Sequence, residues 1–368
     1  MTYRPVILIG NGCRHNPALV DYLCGLGIPV LTTFMAADMV PEDSPVFCGR
    51  PGVIGQRAAN IIAQKAEELL VFGARLDADT VAHSLDGFAP NAEITVYDVD
   101  HAELGKLPSR YHKCHWDTRG EITVGAYSSP AWLSWCKALY ARFRPELDGV
   151  DNPDYVDPYR FLDLLADACQ PDDILAISSS GFAPVTFLQA FKVKAGQRIL
   201  NVSTIGAMGA DIPMAIGACI GSGKKRTICV TGDGGFMLNV QELEVVRRLN
   251  LPIKFFVYNN NGYGSIRTMQ DNRFGQRVGC DPDSGFTLPP LDLIAESYGL
   301  HYEFFHTARE FREYMDFDRT KPTIIELMID PAFAPAPKVM SSAALKPDPL
   351  QDMTPKIDDL QELMDACN

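Results

Sequence analysis

The 368-residue sequence contains no run near the ~18 uninterrupted apolar residues that a membrane-spanning helix requires. The opening stretch, Met1 to His15, has neither the basic start nor the long apolar core of a signal peptide, so a cytoplasmic protein is expected. Its ten cysteines form no CxxC pair and no Cys/His cluster, which makes them small buried hydrophobes rather than zinc ligands or disulfide partners. Positive charge is scarce. Against 46 Asp and Glu stand 33 Lys and Arg, and the net charge of −13 argues against nucleic acid and anionic membranes as partners. What is present is a 46% apolar chain, long enough for roughly two domains with separate cores.

Short apolar runs at Val6 to Ile9, Leu69 to Phe72 and Ile94 to Val99 alternate with helical patterns at Pro17 to Leu26 and Gln56 to Ala66. Such alternation predicts an α/β fold, a parallel sheet with helices on both faces. The pattern fades after Leu107, with one helix predicted around Trp132 to Arg144, and resumes at Tyr159. Strands are then predicted at Ile174 to Ile177, Arg198 to Asn201, Thr227 to Val230, Ile253 to Tyr258 and Thr323 to Ile329. The expectation is two doubly wound parallel-sheet domains: residues 1–135, a linker at 136–158, residues 159–335, and a tail, either a lid or a surface strap, at 336–368 with a helix at Asp358 to Ala366.

The sharpest motif is Gly232-Asp233-Gly234-Gly235 directly after a predicted strand, followed 27 residues beyond Asp233 by Asn260 in Tyr258-Asn-Asn-Asn-Gly262. Mg2+ takes hard oxygen ligands in an octahedron, and a carboxylate, an amide oxygen and a backbone carbonyl near Gly262 supply three, leaving room for phosphate oxygens and water. Glycines allow close approach of backbone to phosphate, and the N–H groups of Gly234 and Gly235 open the next helix. Both halves lie at the C-terminal ends of predicted strands, where open α/β sheets bind ligands. Taken alone, Gly-Asp-Gly is equally a tight strand-to-helix turn.

The spacing, and the stretch from Thr231 to Ile266 as a whole, resembles the thiamine-diphosphate enzymes of the acetolactate-synthase type. The resemblance implies thiamine diphosphate with Mg2+, with Asp233, Asn260 and the Gly262 carbonyl as metal ligands and Gly232, Gly234, Gly235, Tyr263 and Gly264 around the diphosphate. Ser203-Thr-Ile-Gly206-Ala-Met208-Gly209 is similar to the family segment around the aminopyrimidine ring. There Gly206 O faces the 4′-amino group and Met208 wedges under the cofactor, bending it so that this amino group lies close to thiazolium C2. An ordinary core methionine is the plainer reading of Met208 alone. Ser179 and Ser180, in Ser178-Ser-Ser-Gly181, stand where relatives place diphosphate contacts, and a polar strand-end turn is the alternative.

The first domain resembles the middle domain of the same family through Gly49-Arg-Pro-Gly-Val-Ile-Gly-Gln-Arg-Ala-Ala-Asn60, Val71-Phe-Gly-Ala-Arg-Leu-Asp77 and Tyr97-Asp-Val-Asp100. Acetolactate synthases hold FAD there, and Gly10-Asn11-Gly12, Arg75 and Asp98 are its candidate contacts here. Ile54 replaces the His of FAD-holding relatives, so an empty structural domain is preferred to an FAD site. Asp79 stands where acetolactate synthases carry a substrate Arg, and Met269 where they carry a pocket Trp. Both departures count against acetolactate synthesis itself, and the nearer likeness is to homologues of surface-sugar and specialised pathways.

Family members begin with a pyrimidine-binding domain whose glutamate hydrogen-bonds N1′ of the cofactor, and no segment here corresponds to it. The expectation is therefore a split 2-keto acid decarboxylase or carboligase, with a separate pyrimidine-binding-domain subunit in a two-plus-two heterotetramer. A non-catalytic cofactor-binding or regulatory subunit is the alternative, and a nucleotide-binding oxidoreductase using Gly10 to Gly12 ranks last.

Overall fold

The computed structural model describes residues 3–117, 122–124, 129–144, 153–202, 205–314, 320–341 and 348–366. Two units emerge, Met1–Pro145 with Ala336–Asn368, and Glu146–Pro335.

The first unit is built on five parallel strands, β1 (Pro5–Ile9), β2 (Val30–Thr32), β3 (Glu68–Phe72), β4 (Glu93–Asp98) and β5 (Tyr111–His115), in spatial order β2-β1-β3-β4-β5. β1 is apolar and buried along its whole length, as a strand covered on both faces must be. β2 has only three residues and β5 carries exposed His112, Lys113 and His115, so neither shows the apolar run that marks the inner strands. The helix Pro130–Arg142 turns Trp132, Cys136, Leu139 and Tyr140 inward, a one-stripe helical spacing, and the Trp132 indole donates to Pro5 O at 3.0 Å. Residues 136–142, expected in a linker, therefore belong to this unit's core.

The tail does too. Leu350 and Met353 are buried, Arg57 donates to Met353 O at 3.3 Å and Pro355 O at 2.5 Å, and Asn60 and Gln64 reach Met353 Sδ and Gln351. Of the two readings of the tail, lid or surface strap, its described part is a strap along the first unit, ending in the helix Leu360–Asp365.

The second unit has six parallel strands, β6 (Ile174–Ile177), β7 (Arg198–Leu200), β8 (Thr227–Gly232), β9 (Ile253–Asn259), β10 (His301–Phe305) and β11 (Thr323–Met328), ordered β10-β11-β9-β8-β6-β7. Its first helix, Pro158–Ala168, starts where Asp157 accepts from Arg160 N at 2.9 Å and Pro158 sets the first-turn φ. From β6 the chain leaves to β7 on one side and later returns to β8 on the other, which creates a topological switch point between β6 and β8. Ligands of open α/β sheets settle at the carboxyl ends of strands beside such a point. No helix among the described residues is long and apolar enough to cross a membrane.

Candidate functional site

Beside that switch point lies a cavity of about 200 Å3, walled by Ser178 and Ser180–Ala183 after β6, Gly206 and Met208 after β7, Gly232–Gly235 after β8, and Tyr258, Asn260 and Gly262–Ile266 at the end of β9. Strand register brings the two halves of the motif together. Gly232 pairs with Tyr258 across β8 and β9, so Asp233, one residue further, and Asn260, two further, leave the sheet side by side.

The two halves are also bonded. Asp233 is 4% exposed, its Oδ1 accepts from Gly234 N at 2.7 Å and its Oδ2 from Gly262 N at 2.9 Å. Burial raises the Asp233 carboxyl to about 6, while N–H donors at Gly262, Gly234 and Asn260 pull the other way. Gly262 sits at φ +129°, and a Cβ there would meet Cys280 O at 2.3 Å, so glycine is required on both counts. The buried Arg267 donates to Asn260 O at 2.8 Å and fixes the backbone of this loop. Asn260 Oδ1 is buried and has no hydrogen-bond partner, an acceptor kept for something other than protein.

Those donors fit the hard-oxygen set of a Mg2+ shared with a diphosphate: one carboxylate, one free amide oxygen and the Gly262 carbonyl. No cluster of three or more His, Cys, Asp and Glu side chains suited to a metal occurs among the described residues, so the fit depends on neutral oxygens beside Asp233. Gly234 and Gly235, in the first turn of the short helix Asp233–Met237, line the same cavity. Tyr263 covers the turn, since a Cβ on Gly234 would lie 2.3 Å from its ring.

Met208 also lines the cavity and is 38% exposed, set between Gly206 at φ +63° and Gly209 at φ +81°. Asn239 holds Gly209 O at 2.7 Å, so this side chain projects from a pinned loop rather than from a packed core. Ser203 and Thr204 of the same segment lie outside the described residues. Of the expected contacts, Ser179 alone is off the cavity wall: its hydroxyl is buried without a partner, and Ser178 takes its place beside Ser180. Phe182, Ala183, Tyr258, Ser265 and Ile266 also line the cavity and were not singled out from sequence, because apolar and small residues there carry no motif signal.

The corresponding switch point in the first unit, between β1 and β3, is closed by backbone. A Cβ on Gly10 would fall 2.3 Å from Gly73 O and from Ala74 Cα, and one on Gly12 2.9 Å from Gly73 Cα. These glycines serve close packing of two strand-end turns. Arg75, largely exposed, pairs with Glu103 at 3.1 Å, and Asp98 accepts from Asp100 N at 2.8 Å.

Comparison with known proteins agrees with this division. Residues 2–113 match the family model for the thiamine pyrophosphate enzyme central domain, and residues 179–327 the C-terminal TPP binding domain. The chain belongs to the thiamine pyrophosphate enzymes. It is 29% identical over 354 residues to a probable acetolactate synthase large subunit of Methanocaldococcus jannaschii, covering 90% of this chain and 58% of that protein. It is likewise 29% identical over 310 residues to the acetolactate synthase isozyme 2 large subunit of Escherichia coli K12, covering 81% and 54%. With chloroplastic acetolactate synthase 2 of Zea mays the figures are 29% over 313 residues, 81% and 49%. The chain spans roughly half the length of these relatives.

Proposed function

We propose that this chain holds the Mg2+-diphosphate end of thiamine diphosphate in an acetolactate-synthase-like enzyme that decarboxylates a 2-keto acid and then releases the product or joins it to a second carbonyl. The observation that carries this is the unpartnered Asn260 Oδ1, buried beside Asp233 and the Gly262 loop on one cavity wall. When bound, the cofactor supplies a carbon nucleophile and an electron sink for decarboxylation. Asp233, Asn260 and Gly262 O would hold the metal, and the backbone of Gly234 and Gly235 would let the diphosphate approach closely. Met208, on a loop that Asn239 pins through Gly209 O, would pack against the cofactor and help to orient it.

The pyrimidine end needs a second wall that carries the glutamate for N1′. Ile205, 84% exposed, and Met208, 38% exposed, are apolar side chains left uncovered on the segment after β7, of which Gly206 and Met208 reach the cavity wall. We place that cover on a separate pyrimidine-binding subunit, two of each chain closing two equivalent sites in a symmetric heterotetramer. Co-expression with a candidate pyrimidine-domain protein, followed by mass measurement and a keto-acid decarboxylation assay, tests both parts. Activity and a two-plus-two mass only when both chains are present are expected. Thiamine-dependent turnover by this chain alone would refute the need for a partner.

A further inference from the structure

Asp211 opens the helix Asp211–Gly221, is fully buried, and has no part in the metal or diphosphate contacts described above. Its surroundings are unusual. Oδ2 accepts from the Thr231 hydroxyl at 2.5 Å, and Ser178 and Ser179, just after β6, lie close enough to bear on the carboxyl, the Ser178 hydroxyl itself donating to Ser180 O at 3.1 Å. Gly235 passes so close that a Cβ on it would lie 2.9 Å from the same oxygen. Ser178 and Ser179 end β6, Thr231 and Gly235 flank the metal ligand Asp233, and Asp211 itself follows the Gly206–Met208 segment within a few residues. One carboxylate therefore touches or continues three of the four segments that wall the cavity, without reaching the wall itself.

A helix-opening Asp needs no such contacts, because attraction to the helix N-terminus is satisfied in water. Here the group is buried, its Oδ1 has no partner, and burial pushes its pKa up. Burying a carboxylate with one oxygen unsatisfied costs stability. An apolar residue at this position would leave the Thr231 hydroxyl with Gly232 O, at 3.3 Å, as its acceptor and remove the side chain that joins the β8 turn to the start of this helix beside the β6 turn. We propose that Asp211 is a positioning residue that locks the β6 and β8 turns together and so sets the spacing of the diphosphate cradle and the placement of Met208. This rests on the cofactor site proposed above.

The test is titration calorimetry of Mg2+ with inorganic pyrophosphate into the purified chain, because that probe engages the diphosphate end alone. Wild type, Asp211→Ala, Asp211→Asn, Thr231→Val, the double variant Asp211→Ala with Thr231→Val, and Asp233→Ala are compared, each with its ligand-free unfolding midpoint. Asp211→Ala and Thr231→Val are each expected to weaken binding by about ten- to a hundredfold, the usual effect of losing an outer support of a metal site. Asp211→Asn, which keeps one acceptor for Thr231, is expected to recover part of the loss. The double variant should be no worse than the poorer single, since both remove one link. Should Asp211→Ala fail to fold, Asp211→Asn and Thr231→Val still decide. Wild-type affinity in these variants, additive losses, or losses matched by an equal fall in ligand-free stability would overturn the assignment. Absence of Mg2+-pyrophosphate binding by the wild type strikes the cofactor site itself, and this inference with it, whereas binding that is lost in Asp233→Ala but kept in the Asp211 and Thr231 variants strikes the inference alone.

Discussion

Asp233 does two jobs at the scale of one residue: it is the only carboxylate on the cavity wall and it ties the Gly262 loop to the end of β8. In the ligand-free protein its carboxyl is raised to about 6 by burial, above the unfolded value. A raised carboxyl favours the protonated folded state, so this group's contribution to stability is present at low pH and is lost as pH rises through about 6. The stability of Asp233→Asn relative to the ligand-free wild type should therefore rise between pH ~4 and ~8, on top of a pH-independent cost of turning its amide NH2 toward one of the two N–H donors. Unfolding midpoints measured across that range check it, and a relative stability that falls as pH rises would be the wrong sign. Met208 acts on geometry instead. Met208→Ala in the assembled enzyme should leave cofactor affinity within about tenfold while turnover falls far more, and a loss confined to affinity would reduce Met208 to packing.

Elements decide where these residues meet. Register between β8 and β9, and a φ of +129° at Gly262, deliver Asp233, Asn260 and the Gly262 carbonyl to one point. Gly262→Ala should therefore cost about 1–3 kcal/mol of backbone strain, displace the loop from Cys280 and weaken Mg2+-pyrophosphate binding, while Gly217→Ala, inside the helix Asp211–Gly221 where nothing lies within 4 Å, raises the midpoint slightly and leaves binding unchanged. A paired comparison of midpoints and binding isotherms measures this. The inner strands and the motif were legible because a doubly covered strand is an unbroken apolar run and because glycine, Asp and Asn at fixed spacing have few other uses. β2, β5 and β10 were not: β2 is too short for a pattern, and β5 and β10 expose much of their length. Asp211 carried no signal either, since its importance lies in contacts with turns that are distant in sequence.

At the scale of the molecule, the C-terminal strap shows what sequence could not reach. Pro-punctuated and weakly patterned, residues 336–368 read from sequence as either a lid or a surface strap, and contacts decide for the strap: Leu350 and Met353 are buried on the first unit and Arg57, Asn60, Gln64 and Lys65, all on the helix Arg57–Lys65, bond to it. Deletion from Ala336 onward should destabilise this unit by roughly 3–6 kcal/mol for two buried side chains, read as earlier melting and faster proteolysis near the helix Arg57–Lys65. Such a change in the first unit leaves the cavity of the second unit intact in its own residues, so binding at the diphosphate end separates the two effects. Everything functional depends on that end. The most direct measurement is calorimetric titration of pyrophosphate, with and without Mg2+, into the wild-type chain, Asp233→Ala and Asn260→Ala. Mg2+-dependent binding by the wild type that disappears in both variants, with their folds intact, is the predicted result; equal affinity in all three proteins, or binding indifferent to Mg2+, would contradict it.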